Sequence, residues 1–386
     1  MKVLLLTTHI NVGGIGIYTV NLAGYLQKAG ADVTVVSGGG ELESILSKEG
    51  VRHIKMDILT KSEFGIKVWK TLPAFARLVK DGDFDLVHAQ TRVAQVLASL
   101  SRRLTGVPFI TTCHGFFRFK RFGRRIFPLW GDRVIAISRN VKAHLIHDFT
   151  VPEEIVRLVY SGIEVERFTD RTSPGDAGLR RDLGLVPGGV TIGSVGRFSP
   201  VKGYSFLIKA FREVMAAFPD ASLLLVGRGP EKEMLGRLAA GLGISDNVFF
   251  AEGRKAPLEE YLALMDVFCL PSLAEGLGLS LMEAMASGCA CVASDVGGLS
   301  ELIVSGEDGI LVPPRAPERL AAAVTRLLKD PGLRRTFSGR CREKARRDFS
   351  IRDSAARTMA VYREVTASRR GRHAEGDMPQ GDTPEV

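Results

Sequence analysis

The chain has 386 residues, 45% apolar and 25% charged, with a formal charge of +9. That composition is globular, and the length exceeds what one core usually serves, so two domains are expected. No run approaches the ~18 apolar residues of a membrane span. The basic balance calls for an anionic partner: nucleic acid, a phospholipid surface or a phosphorylated substrate.

In chain order, "MKVLLLTTHI" resembles a signal peptide only superficially. Its apolar run is short, has no small-residue cleavage site and flows into a glycine loop, so it reads as a first strand. Further strand candidates in the first half are "DVTVVS", "RHIKM", "LVHAQ", "FITTC" and "RVIAIS". Between them lie helical stretches such as "GIYTVNLAGYLQKAG", whose Tyr18, Leu22 and Leu26 share one face before Gly30 stops the helix. Asp83-Phe84-Asp85 has the D-x-D form of a metal-binding pair, but it precedes "LVHA" and reads as a strand's beginning. The pattern weakens over 165–189, rich in Gly, Pro and charge, and restarts with "VTIGSVG", "SLLLVG", "NVFFAE", "VFCL", "CACVAS" and "GILV".

This alternation predicts an α/β chain of two doubly wound, Rossmann-like domains facing a central cleft. The expected boundaries are 1–165 for the N-terminal domain, 166–188 for a linker and 189–350 for the C-terminal domain. Residues 351–367 form a helix returning to the first domain, and 368–386 a disordered tail with few large apolar residues. Five cysteines, at 113, 269, 289, 291 and 341, form no disulfide framework or zinc spacing. They suit a reducing cytoplasm.

Ligands of such sheets gather at the carboxyl ends of strands. In "PSLAEGLGLSLMEAMASG" (271–288), Glu275 falls in a loop after a strand and Glu283 inside the following helix. Two acceptor-only groups there suit sugar hydroxyls; alternatively Glu275 caps the helix and Glu283 faces solvent. In "GRFSPVKG" (196–203), Arg197 and Lys202 lead from a strand end to a helix start, as phosphate binding needs, without the Walker order. The loop carrying Gly13, Gly14 and Gly16 fails the dinucleotide spacing and shows only that the backbone approaches something closely. His114, at the end of "FITTC", serves either the cleft or the structure.

The stretch "FFRFKRFGRRIFPLW" (116–130) interleaves Phe116, Phe117, Arg118, Lys120, Arg121, Arg124, Arg125 and Trp130 without an acid. It is expected to form a membrane or acceptor surface, in preference to a nucleic-acid surface or a loop packed on its own domain.

Together these motifs resemble the retaining glycosyltransferases of the GT-B fold, specifically glycosyltransferase family 4, over nearly the whole chain to about residue 365. "EGLGLSLMEAMASG" is similar to the family's E-x7-E motif, "GRFSPVKG" to its phosphate loop, "TTCHGFF" to its T-x-H-G segment and "HINVGGIG" to its first glycine loop. "VGRGP", "SDVGGLSELI" and "EDGILVPP" follow in the family's order. Two departures are Ser161-Gly162-Ile163-Glu164 at the hinge, usually Asn-Gly-Val/Ile-Asp, and Leu277, commonly Phe.

The resemblance implies a nucleotide-diphosphate sugar donor, a UDP- or GDP-sugar first, with no metal and no other cofactor. Glu283 would hold the ribose, Glu275 the donor sugar, Arg197 and Lys202 the diphosphate, and His114 would sit beside the sugar. Gly196, Arg228, Gly276, Leu277, Gly278 and Leu279 would complete the donor site, facing the glycine loop at Gly13, Gly14 and Gly16. It implies a hexosyltransferase with retention, and the basic aromatic stretch 116–130 leads us to expect a glycolipid, lipopolysaccharide-core or polysaccharide-precursor acceptor. The expected location is peripheral, on the cytoplasmic face of the cell membrane, with no nucleic-acid partner. The rivals are a nucleotide-sugar epimerase of similar fold and a non-catalytic membrane-binding module.

Overall fold

The structure, a computed structural model, describes residues 1–117, 129–168, 176–252 and 256–376. Two parallel sheets form the frame. The first has the order β3-β2-β1-β4-β5-β6-β7. Its strands are β1 (Lys2–Leu6), β2 (Asp32–Ser37), β3 (Arg52–Lys55), β4 (Leu86–Ala89), β5 (Phe109–Cys113), β6 (Arg133–Ala136) and β7 (Val156–Leu158). The second has the order β10-β9-β8-β11-β12-β13. It comprises β8 (Thr191–Val195), β9 (Ser222–Val226), β10 (Val248–Ala251), β11 (Val267–Leu270), β12 (Ala290–Ser294) and β13 (Ile310–Val312). Helices cover both faces, which is why the central strands are near-continuous apolar runs rather than alternating ones. All five cysteines are buried, and none is in a disulfide.

Strand order reverses between β1 and β4 in the first sheet and between β8 and β11 in the second. At such switch points the flanking loops diverge and leave a crevice at the carboxyl ends of the strands. The two crevices face each other. Sequence reading missed β7, three residues at the sheet edge and only partly apolar. The 166–188 stretch contains a helix, Asp176–Asp182.

The chain crosses between the domains at two adjacent places. Ile163 N–H donates to Phe349 O and Ile351 N–H to Ile163 O. Gly162 packs so tightly there that a Cβ would stand 2.5 Å from the Ile351 backbone, so glycine is needed at this hinge. The last helix, Ile351–Gly376, runs back onto the first domain. It buries Ile351, Met359, Tyr362 and Val365 in that domain's core. At about 1.5–3 kcal/mol for each large apolar side chain, this docking fastens the helix firmly. Glu364 adds ion pairs to Arg133 and Arg157. The helix continues to Gly376, past residue 367 where sequence reading ended it. Its Ala, Arg and Glu residues are good helix formers without being large and apolar. The last ten residues, 377–386, lie outside the described part.

Candidate active site

On the C-terminal domain, β8 ends at Val195 and leads through Gly196 and Arg197 into a short 3-10 turn, Pro200–Lys202. Gly203 then takes a left-handed φ of 66°, and a Cβ there would stand 2.1 Å from Pro271 O. Only glycine lets this turn press against the loop that follows β11. The result is a two-point contact: Lys202 Nζ lies 3.0 and 2.9 Å from the two oxygens of Glu275. Arg197 is exposed, with no ion pair among the described residues. Two helices begin beside this pair, Tyr204–Val214 and Leu279–Ala286, and neither has an acid in its first turn. Their N-terminal partial positive charges therefore add to those of Lys202 and Arg197, an arrangement suited to an oxyanion.

Gly276, Leu277 and Gly278 form the approach to the second helix. Leu277 is buried. Gly278 sits at φ 105°, with Leu299 too close for any side chain. Gly276 has an interdomain reason to be glycine, since a Cβ would stand 2.4 Å from His114 O. Of the first glycine loop, Gly14 faces Leu279 Cδ1 across the seam, Gly16 closes on Asn11 O, where a Cβ would sit at 2.2 Å, and Gly13 touches nothing nearby.

On the N-terminal domain the site is neutral. His114 Nε2 donates to Gln90 Oε1 at 2.8 Å, and Gln90 Nε2 donates to His88 Nε2 at 3.1 Å. The same His88 nitrogen meets Thr112 Oγ1 at 2.7 Å, while His88 Nδ1 reaches Tyr362 Oη at 2.6 Å. Burial pushes the pKa of His114 down to about 4 and that of His88 to about 3, the latter helped by His114. Both rings are uncharged at neutral pH. With its Nε2 proton given to Gln90, His114 keeps Nδ1 as an acceptor. The Tyr18 ring packs edge-on against it, with centroids 5.5 Å apart.

Charged groups bind the seam on either side. The Glu301 carboxylate, from the C-terminal domain, accepts from Arg139 N, Asn140 N, Asn140 Nδ2 and Tyr160 Oη at 2.7–2.9 Å. It thereby caps the first turn of the N-terminal-domain helix Arg139–Phe149 and grips the residue before the hinge. The seam is tied to the donor loop as well: Gly298 N–H donates to Glu275 O, and Asn140 Nδ2 donates to Gly297 O. Arg228 pairs across the seam with Glu41 at 3.4 Å, and Glu41 also accepts from Val12 N.

Glu283 stands apart from its motif partner. It is only 8% exposed and lines a cavity of about 20 Å³ with Asn21, Gly162, Glu164, Arg167 and Leu279. That is room for about one water-sized group. Burial pushes its carboxyl up to about 7, opposed by Arg167 and assisted by Glu259. Arg167 is itself engaged by Glu259 at 3.1 Å. The expectation that Glu283 faces solvent, one of two left open by spacing, is incorrect.

The basic aromatic stretch needs correction too. Trp130 is 6% exposed and buried, and Phe117 packs with Trp130, His144 and Phe149. These rings are core, because the helix Arg139–Phe149 offers them an apolar wall. Phe116 is exposed to 38% and abuts Gly297, where a Cβ would stand 2.7 Å from its ring. It belongs to the domain seam. Arg118, Lys120, Arg121, Arg124 and Arg125 lie outside the described residues. In the D-x-D pair, Asp85 accepts from Lys2 N at 2.8 Å, fixing the start of β1.

Sequence reasoning missed Gln90, Glu41 and Glu301. Gln90 follows β4 at the switch point, a position that topology alone would have flagged. Glu301 lies in the quoted stretch "SDVGGLSELI", but its partners are over 140 residues away and leave no local trace.

Comparison with known proteins agrees with this geometry. The family model described as Glycosyltransferase Family 4 matches residues 12–167, and that described as Glycosyl transferases group 1 matches residues 178–347. A D-inositol 3-phosphate glycosyltransferase of Frankia alni is 30% identical, covering 84% of this chain and 88% of that one. A phosphatidyl-myo-inositol mannosyltransferase of Mycolicibacterium smegmatis is 28% identical, covering 92% and 91%. Among solved structures, Anabaena HepE in complex with UDP-glucose superposes with a TM-score of 0.81 at 22% identity, covering 96% of this chain and 100% of that one. Two facing Rossmann-like domains, a cation–carboxylate pair at the switch point of one, and these matches over both halves place the chain in glycosyltransferase family 4, with the GT-B fold.

Proposed function

We propose that this glycosyltransferase is a retaining, metal-independent hexosyltransferase using a nucleotide-diphosphate sugar, a UDP- or GDP-sugar first. The observation that carries the reading is the Lys202–Glu275 pair, set between two helix N-termini and facing neutral His114. Anabaena HepE, similar in fold, binds UDP-glucose.

The diphosphate lies against Lys202, Arg197 and the helix starts. As the bond between the anomeric carbon and the leaving phosphate oxygen breaks, negative charge grows on that oxygen. The cations are fixed in advance and stabilise it without a resident metal. The acceptor hydroxyl attacks from the same face, and its proton passes to the leaving diphosphate. Glu275, already oriented by Lys202, accepts hydrogen bonds from donor-sugar hydroxyls, and His114 Nδ1 accepts another. Glu283 takes ribose hydroxyls as a carboxylate, so donor binding shifts its proton to solvent near pH 7. The Glu301 clasp holds the domains together, which keeps water from the donor. The acceptor is the hydroxyl of a glycolipid, lipopolysaccharide core or polysaccharide precursor, reached at the cytoplasmic face of the membrane. The phosphatidyl-myo-inositol mannosyltransferase relative supports a lipid-linked acceptor by its name.

The test is nucleotide release from UDP- and GDP-sugars with EDTA present, against lipid-linked and soluble saccharides, with NMR of the product's anomeric centre. Retained configuration and turnover in EDTA are expected. Inversion, or strict dependence on magnesium, overturns the reading.

A further inference from the structure

We propose that the exposed face of the helix Ile66–Asp81, with the loop before it, docks on an anionic phospholipid bilayer. The helix has two sharply different sides. Val68, Phe75, Ala76 and Val79 are buried in the N-terminal domain, and Thr71 Oγ1 donates to Asp57 O. The other side carries Ile66, Lys70, Pro73, Arg77 and Lys80 at helical spacing, flanked by Lys67 and Trp69. From Gly65 to Lys80 there is no acidic residue.

Three observations separate this face from an ordinary solvated one. First, large apolar groups stand in water: Ile66 is 74% exposed, Trp69 52%, and Leu59 in the preceding loop 52%. Second, Lys61, Lys70, Arg77 and Lys80 have no carboxylate partner among the described residues; Lys67 alone is paired, with Asp57. A water-facing helix gains from mixed charges at i,i+4 spacing; here the one such couple, Arg77 and Asp81 at the helix end, forms no ion pair. Third, the face is rigidly mounted. Arg92 pairs with Glu63 of the loop at 3.1 Å, both largely buried, and its guanidinium lies 5.7 Å from the Trp130 ring. The loop is thus braced against the same wall of the domain that carries Trp130 and the seam aromatics.

Cations beside a tryptophan and an isoleucine match a bilayer interface: ammonium and guanidinium groups meet lipid phosphates, while the rings and branched chains enter the acyl boundary. Aromatic stacking on nucleic acid would use ring faces aligned in a groove, whereas here the apolar residues stand on a convex helix. The proposal extends the lipid-linked acceptor reading by naming a surface that would present the enzyme to it, and it does not depend on the donor chemistry.

The probe is a phosphatidylglycerol vesicle, with phosphatidylcholine as control. The full chain with Trp130→Phe leaves Trp69 as the remaining tryptophan of the two. Its emission should shift blue on anionic vesicles, and the protein should sediment with them. Ile66→Ser/Trp69→Ser and Lys70→Glu/Arg77→Glu should each weaken binding about tenfold or more, with melting temperature and transfer to a soluble saccharide unchanged. Equal binding by the variants overturns the proposal. So does a concentration-dependent dimer that Trp69→Ser abolishes in place of vesicle binding, or binding of single-stranded RNA by this face with vesicles ignored. Loss of transfer to soluble saccharides by the unaltered chain would refute the donor chemistry instead, leaving the vesicle result to stand.

Discussion

The two walls of the cleft solve different problems with different chemistry. The C-terminal wall concentrates charge: Lys202 and Glu275 in contact, Arg197 exposed, and two helix N-termini free of acids. The N-terminal wall is uncharged at its centre, with His114, Gln90 and His88 joined in a buried neutral chain. Charge belongs where a bond to phosphate breaks, because fixed cations act on charge as it develops. Neutral hydrogen bonds belong where a sugar must be oriented without being bound too strongly in the ground state. Between the walls, the carboxylates of Glu301 and Glu41 close the seam, reaching out from opposite domains.

That contrast breaks most sharply at the charged wall. Lys202→Ala should lower kcat by about 10²–10³-fold, as removal of one fixed oxyanion stabiliser does, measured by nucleotide release. A comparable loss at Gln90 and none at Lys202 would reverse the assignment of roles.

The next effect is at the seam. Glu301→Gln weakens a carboxylate that accepts four hydrogen bonds from the opposite domain. A drop of about tenfold in kcat/KM is expected, with a larger radius of gyration by small-angle scattering. Unchanged scattering and rate would mean that the clasp does not hold the domains.

Gln90→Leu should cost less, about three- to tenfold and mainly in donor KM, because it strands the His114 Nε2–H beside an apolar group. As Gln90 acts through His114, the discriminating readout is the ring's 15N shifts, which should report a changed tautomer population.

The last effect is on stability rather than on rate. Burial raises the Glu283 pKa from 4.5 to about 7. Below about pH 4.5 both folded and unfolded chains hold the proton, so the group is neutral in its effect. Between these values the unfolded chain loses its proton first, and stability falls as pH rises, by roughly 3 kcal/mol at most. Glu283→Gln should therefore leave melting unchanged near pH 4 and raise it near pH 8. No gain at pH 8 would mean that the carboxylate is already paid for by a partner such as Arg167.

Much of this was legible in the sequence. Alternating apolar runs revealed twelve of the thirteen strands among the described residues, and strand-end positions marked Lys202, Glu275 and His114. Residues 271–288 also revealed that Glu275 precedes a helix, because Gly278 and Gly288 bracket it. What spacing could not reveal was environment. Glu275 and Glu283 share one motif, yet one meets an ammonium and the other a cavity at the hinge, since the hinge backbone comes from residues 162–168. Trp130 read as a surface anchor because it ends a basic run, but Phe149 and Phe117 wall it in. Glu301 and Gln90 were invisible for the same reason: their meaning lies in partners brought together by the fold. The exposed Trp69 helix face was also overlooked, because the apolar residues that seat it and the ones left outside are alike in type.

The central claim is that the charged wall binds a nucleotide-diphosphate sugar without a metal. The most direct test is a thermal-shift titration of the purified chain with UDP-glucose and GDP-mannose in EDTA, beside Lys202→Ala. A ligand at a hundred times its dissociation constant stabilises by about 2.7 kcal/mol, so the account predicts a clear rise in melting temperature for at least one donor, lost in Lys202→Ala. No shift with either donor in EDTA, followed by a shift on adding magnesium that Lys202→Ala preserves, would contradict it.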